Sequence, residues 1–96
     1  MARRRRSRLG GAAQGHEQSA MRHYNEAEHL ARKAVGAGDC KSAFGFYQAA
    51  ALHYGQALAH ERSGGGGFEV EARKDNASGM MQSAEILVLR CLVRKR

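Results

Sequence analysis

The chain has 96 residues, a net charge of +7, twelve glycines and neither proline nor tryptophan. That length makes one small domain with a barely sufficient core, and the lack of proline fits a mostly helical chain. Two cysteines are too few for a disulfide scaffold. No stretch is long and apolar enough to span a membrane, and the amino-terminal residues lack the apolar segment of a secretory signal.

The charge is segregated along the chain. Residues 1–8 hold Arg3, Arg4, Arg5, Arg6 and Arg8 and no acid, and residues 90–96 hold Arg90, Arg94, Lys95 and Arg96 and no acid. Between them, seven basic and nine acidic residues leave the body close to neutral. Residues 1–16 are expected to be a disordered basic tail, because the arginines repel one another and Gly10 to Gly15 offers nothing to bury. A mitochondrial presequence is disfavoured: four consecutive arginines are not amphipathic, and Leu9 is the only bulky apolar residue among them. Guanidinium groups match phosphate oxygens with two parallel hydrogen bonds, so both basic ends point to a polyanion partner. A solubility tail or a nuclear-type address is the competing reading.

The hairpin, residues 17–62, organises the rest. From Glu17 to Val35, Ala20, Tyr24, Ala27, Ala31 and Ala34 recur at the spacing of one helical face, with Arg22, Glu26, Arg32 and Lys33 opposite. Gly36 or Gly38 is expected to end this helix in a left-handed conformation, and Asp39 to cap the next. The second helix repeats the pattern through Cys40, Ala43, Tyr47, Ala50, Tyr54 and Ala57. A turn this short makes the two helices antiparallel. Because the facing residues are mostly alanine, each buries little, and Phe44, Phe46, Tyr47, Leu52 and Leu58 need something further to meet.

Within this hairpin, Gly38-Asp39 with Ala43, Tyr47-Gln48 and Ala50, preceded by Leu30 and Ala31, resembles the middle of a tetratricopeptide-type hairpin. It is also similar to the helical hairpin of MIT domains. The resemblance covers about a third of the chain and implies the hairpin geometry. Ala27 stands where the family's first helix carries an aromatic, Gly55 stands where the repeat would end in proline, and there is one copy where solenoids stack several.

Residues 63–77 read as a linker: Ser63 and four glycines end the second helix, and Phe68 to Asp75 form an irregular or briefly helical connector. The glycine run lacks the lysine and hydroxyl residue of a phosphate-binding loop. Residues 78–96 carry the third helix, capped by Asn76 or Ser78. Met80, Met81, Ala84, Leu87, Val88, Cys91 and Leu92 make its apolar stripe. Ile86, Leu89 and Val93 fall outside the stripe, so with Met80 and Met81 they are assigned to a surface for self-association or docking to a larger assembly. A strand over residues 86–93 is the alternative. Whether this helix ends at the pole of the arginine tail or opposite to it is left open.

The fold expected is all-α: an antiparallel hairpin and a third apolar helix forming a small three-helix bundle behind a disordered arginine-rich tail. His16 and His23 are seven residues apart, as are His53 and His60. That is about 10 Å along a helix, too far for two nitrogens on one ion, so no metal site is assigned; a meeting of His23 with His53 across the hairpin is left open. Cys40 and Cys91 read as small buried thiols in a reducing compartment, with a single bridge possible if their helices adjoin. No nucleophile has a positioned base, so neither an enzyme nor a cofactor is expected. The function expected is sequence-independent binding of nucleic acid, DNA above all, through the phosphate backbone. The binding residues are Arg3, Arg4, Arg5, Arg6, Arg8, Arg90, Arg94, Lys95 and Arg96. The compact, basic, arginine-tailed plan resembles small proteins encoded by DNA phages, some of them internal virion components, which implies a place inside a host cell or a virion. A helical interaction module built on the hairpin and third helix is the alternative.

Overall fold

Alanine recurs along these helices with a period close to two turns, and the structure follows from burying it. The computed structural model describes the backbone of residues 2–94 and the side chains of residues 15–94. Three α-helices run Ala2–Val35 (α1), Cys40–His60 (α2) and Phe68–Arg94 (α3). No strand occurs among the described residues, so residues 86–93 are helix. Ala20, Tyr24, Ala27, Ala31 and Ala34 of α1 are all fully buried, as expected. They face Ala43, Ala50 and Ala57 of α2, and Val70, Ala77, Ala84, Val88 and Cys91 of α3.

The core divides into two clusters along the bundle. Ala20, Tyr24 and Ala27 meet Ala57, Val70 and Ala77 in one. Ala31, Ala34, Ala50 and Ala84 form the other, flanked by Leu30, Phe46, Tyr47, Met80 and Met81. The order of these contacts makes α2 antiparallel to both neighbours and α3 parallel to α1. Small facing residues let the backbones approach closely but remove little apolar area from water, roughly 0.8 kcal/mol per methylene-sized group. Tyr24 and Val70 are the largest fully buried side chains. The ring of Tyr54 meets Tyr24 edge to face at 5.3 Å, and the Tyr24 hydroxyl donates to Glu61 Oε1 at 2.6 Å.

A disulfide between Cys40 and Cys91 supplements this thin core. The reading of two separate thiols is thereby corrected. Antiparallel packing sets the first turn of α2 beside the last turns of α3, with the two Cα atoms 5.7 Å apart, within the span a disulfide bridges.

The turns differ in part from expectation. Asp39 caps α2 as predicted, its carboxylate accepting from the Ser42 amide at 2.9 Å. Neither Gly36 nor Gly38 is left-handed. Instead the Ala37 amide bonds Ala34 oxygen at 3.3 Å, tightening the last turn of α1. The glycine run is not a loose linker. After α2, Glu61–Gly65 forms one wide π-type turn broken at Gly64, whose φ of 113° suits glycine. Gly65 is buried against the α1 backbone, and a Cβ there would lie 2.6 Å from the His16 carbonyl carbon and oxygen. α3 then begins at Phe68 rather than near Ala77, because Val70 occupies the core position seven residues before Ala77 and fills it completely.

Candidate functional sites: a basic apolar end and a histidine ladder

Since α3 runs parallel to α1, its last turns stand at the end of the bundle that holds the α1–α2 turn. His16 stands at the other end, so Arg90 and Arg94 lie at the pole opposite the one that holds His16. Arg90 and Arg94 are exposed, and among the described residues neither pairs with an acidic side chain. Their neighbours Ile86, Leu89 and Val93 are 52%, 53% and 71% exposed, and the five together line an open apolar depression of about 520 Å³. Leu92, placed by the sequence on the buried stripe, is half exposed instead. On its other side lies a cleft of about 270 Å³ lined by Lys41, Phe44, Val88 and the disulfide.

Of the five residues assigned to an assembly surface, Met80 and Met81 are corrected: both turn inward and pack on the Ala31–Ala34–Ala84 cluster. Ile86, Leu89 and Val93 remain on the outside. The side chains of Arg3, Arg4, Arg5, Arg6 and Arg8 lie outside the described residues, as do Lys95 and Arg96.

The second constellation was largely missed in the sequence. His23 Nδ1 of α1 lies 3.0 Å from His53 Nδ1 of α2, and His16 Nδ1 lies 3.1 Å from His60 Nδ1. The rings of His23 and His60 stack between these pairs, centroids 5.6 Å apart and 9° from parallel. Four imidazoles therefore form a zigzag along the α1–α2 seam, in the order His16, His60, His23, His53. Each facing pair can share a hydrogen bond only if one Nδ1 carries a proton and the other does not. Burial holds the His23 pKa below the usual histidine value, and the nearby charges of His53, His60 and Arg22 lower it further. Arg22 and Glu26 join His23 and His53 in lining an open cleft of about 270 Å³.

Each pair is placed symmetrically about Gly38, the centre of the turn. Spacing within one helix cannot reveal such a pairing, but the register of an antiparallel hairpin can. Beside the ladder, Tyr24 is buried with its hydroxyl on Glu61, whose carboxylate also lies 3.7 Å from Lys74 Nζ. Burial raises the Tyr24 pKa well above that of a free phenol, and the hydrogen bond to Glu61 adds to the shift.

Among the described residues no three histidine, cysteine or acidic side chains converge to hold a metal ion, and no helix is long and apolar enough to cross a membrane. No family model, no curated protein and no solved structure matches the chain. The likeness to tetratricopeptide and MIT hairpins thus reduces to the helical architecture itself.

Proposed function

We propose that the protein is a non-enzymatic accessory protein that holds nucleic acid, DNA above all, through phosphate contacts made by its basic ends. The observation that carries this reading is the charge segregation. Within the body, seven basic residues are balanced by nine acidic ones along the same stretch, and Arg32–Glu28 and Lys74–Glu61 pair directly. At the end of α3, Arg90 and Arg94 stand exposed with no acidic partner among the described residues. The five arginines of residues 1–8 add a second cationic segment at the other end of the sequence. Such binding is sequence-independent, and its affinity falls by about 0.9 log units per decade of salt for each phosphate neutralised on a duplex.

A salt series on arbitrary duplex and single-stranded DNA tests this reading. A chain lacking residues 1–8 should lose up to about 4.5 units of slope on a duplex, five arginines each contributing about 0.9. An unchanged slope, or no binding by the full chain, refutes it. A place inside a phage particle fits the compact, arginine-tailed plan.

The exposed Ile86, Leu89 and Val93 favour a second reading, in which this face of α3 and the tetratricopeptide- or MIT-like hairpin dock a partner helix or a second copy. A strict monomer by light scattering, with no change on Val93→Glu, argues against self-association.

A further inference from the structure

We infer that the facing imidazoles of His23 and His53 form a binding site for a divalent ion of the zinc and copper class, with His16 and His60 as a second, weaker site beside it. The argument is geometric and independent of the nucleic-acid reading. Neutral imidazole is a preferred ligand of these ions. Two Nδ1 atoms contributed by different helices converge to 3.0 Å at the inner pair and 3.1 Å at the outer one.

An ion bound at about 2.0–2.1 Å from each nitrogen with a tetrahedral angle between them needs an N···N separation of about 3.3 Å. Each pair has only to open by a few tenths of an ångström, which a small ring rotation supplies. The ion then sits off the line joining the nitrogens. At the inner pair it faces the cleft that His23 and His53 line together with Glu26 and Arg22. Water fills the remaining coordination positions there, and the Glu26 carboxylate offsets the Arg22 charge. Because no three protein ligands converge, the site is open on one side. It resembles the open sites of exchangeable ions more than closed structural ones. Ions in the two pairs repel each other through the His23–His60 stack, whose centroids are 5.6 Å apart, so the second binds less tightly. The sulfurs of Cys40 and Cys91 are bonded to each other and offer no competing thiolate. His29 is exposed and outside the ladder, and serves as the control.

The test is titration of the full, oxidised chain with zinc chloride at neutral pH, followed by calorimetry and by histidine side-chain NMR, with magnesium chloride as the control salt. On the unmutated chain, zinc should shift the ring signals of His23 and His53 first, those of His16 and His60 later, and leave those of His29 unmoved; magnesium should move none. The double variant His23→Gln and His53→Gln, checked for helicity by circular dichroism, should lose at least tenfold in zinc affinity, whereas His29→Gln should not change it. Absence of binding up to millimolar zinc overturns the inference. So does equal perturbation of His29, or affinity unaltered in the double variant. The NMR series on the unmutated chain decides the matter even if the variant fails to fold.

Discussion

Replacing Gly65 by alanine tests whether the α2–α3 turn is a steric device or a spacer. A Cβ at residue 65 would lie 2.6 Å from both the carbonyl carbon and oxygen of His16, and 2.8 Å from the Glu17 amide nitrogen. All three are backbone atoms of a helix, so no rotamer change relieves the contact. The turn or α1 must move by roughly half an ångström to restore tolerable contacts, and overpacking of this kind costs about 1–3 kcal/mol or more. Gly66 supplies the comparison. Its φ of −77° and ψ of 161° suit alanine, and a Cβ there meets nothing closer than the Glu61 Cγ at 3.8 Å. Gly66→Ala should therefore stabilise the fold by about 0.4–1 kcal/mol, through the unfolded chain. The two neighbouring substitutions should differ by about 1.4–4 kcal/mol. At about 4–8 °C per kcal/mol for a domain of this size, the variants should be well separated in thermal unfolding followed by circular dichroism. Both are measured with the disulfide oxidised. If Gly65→Ala melts with the parent chain, the close approach of the turn to α1 is not real.

Three further outcomes follow from the same structure. Reducing the Cys40–Cys91 bridge, which spans 51 residues, should lower stability by about 2–4 kcal/mol in denaturant unfolding with and without reductant, a large share for an alanine core. Tyr24→Phe removes the hydrogen bond to Glu61 and should cost about 1.5 kcal/mol near neutral pH. The folded phenol's pKa lies above its unfolded value of 10.0; the matching stability is therefore complete below pH 10 and is lost as pH rises beyond it, and the variant should flatten this alkaline decline. The Ser42 amide holds the Asp39 carboxylate below its ordinary pKa of 3.8. Its contribution is present above that value and is lost as pH falls through the depressed folded value, so Asp39→Ala should destabilise the chain at neutral pH and converge with the parent in acid.

The alanine stripes of α1 and α2 were legible because their spacing repeats the helical period and the Gly-Asp turn punctuates it. The start of α3 was not. Phe68 to Asp75 alternates in polarity, and Val70 is a single core residue whose meaning depends on Ala77 and Ala84 continuing its seven-residue rhythm. Composition made the glycine run look flexible, whereas the conformation of Gly64 and the contact of Gly65 are properties of the folded neighbours. Met80 and Met81 turned inward for a related reason: in a bundle of alanines the longer side chains at the seam fill the space beside them. The disulfide and the histidine ladder depended on which helices adjoin and in what register. Residue types alone do not carry that information, although the symmetry of both histidine pairs about Gly38 does.

The most direct measurement of the central claim is the salt dependence of duplex DNA binding by fluorescence anisotropy for the full chain and for Arg90→Gln with Arg94→Gln. If these side chains neutralise phosphates, the variant should bind every sequence more weakly and its slope should shrink by up to about two units, about 0.9 for each charge removed. Equal affinity and slope in the two proteins, or a full chain whose binding ignores salt, would contradict the assignment of anion binding to the end of α3.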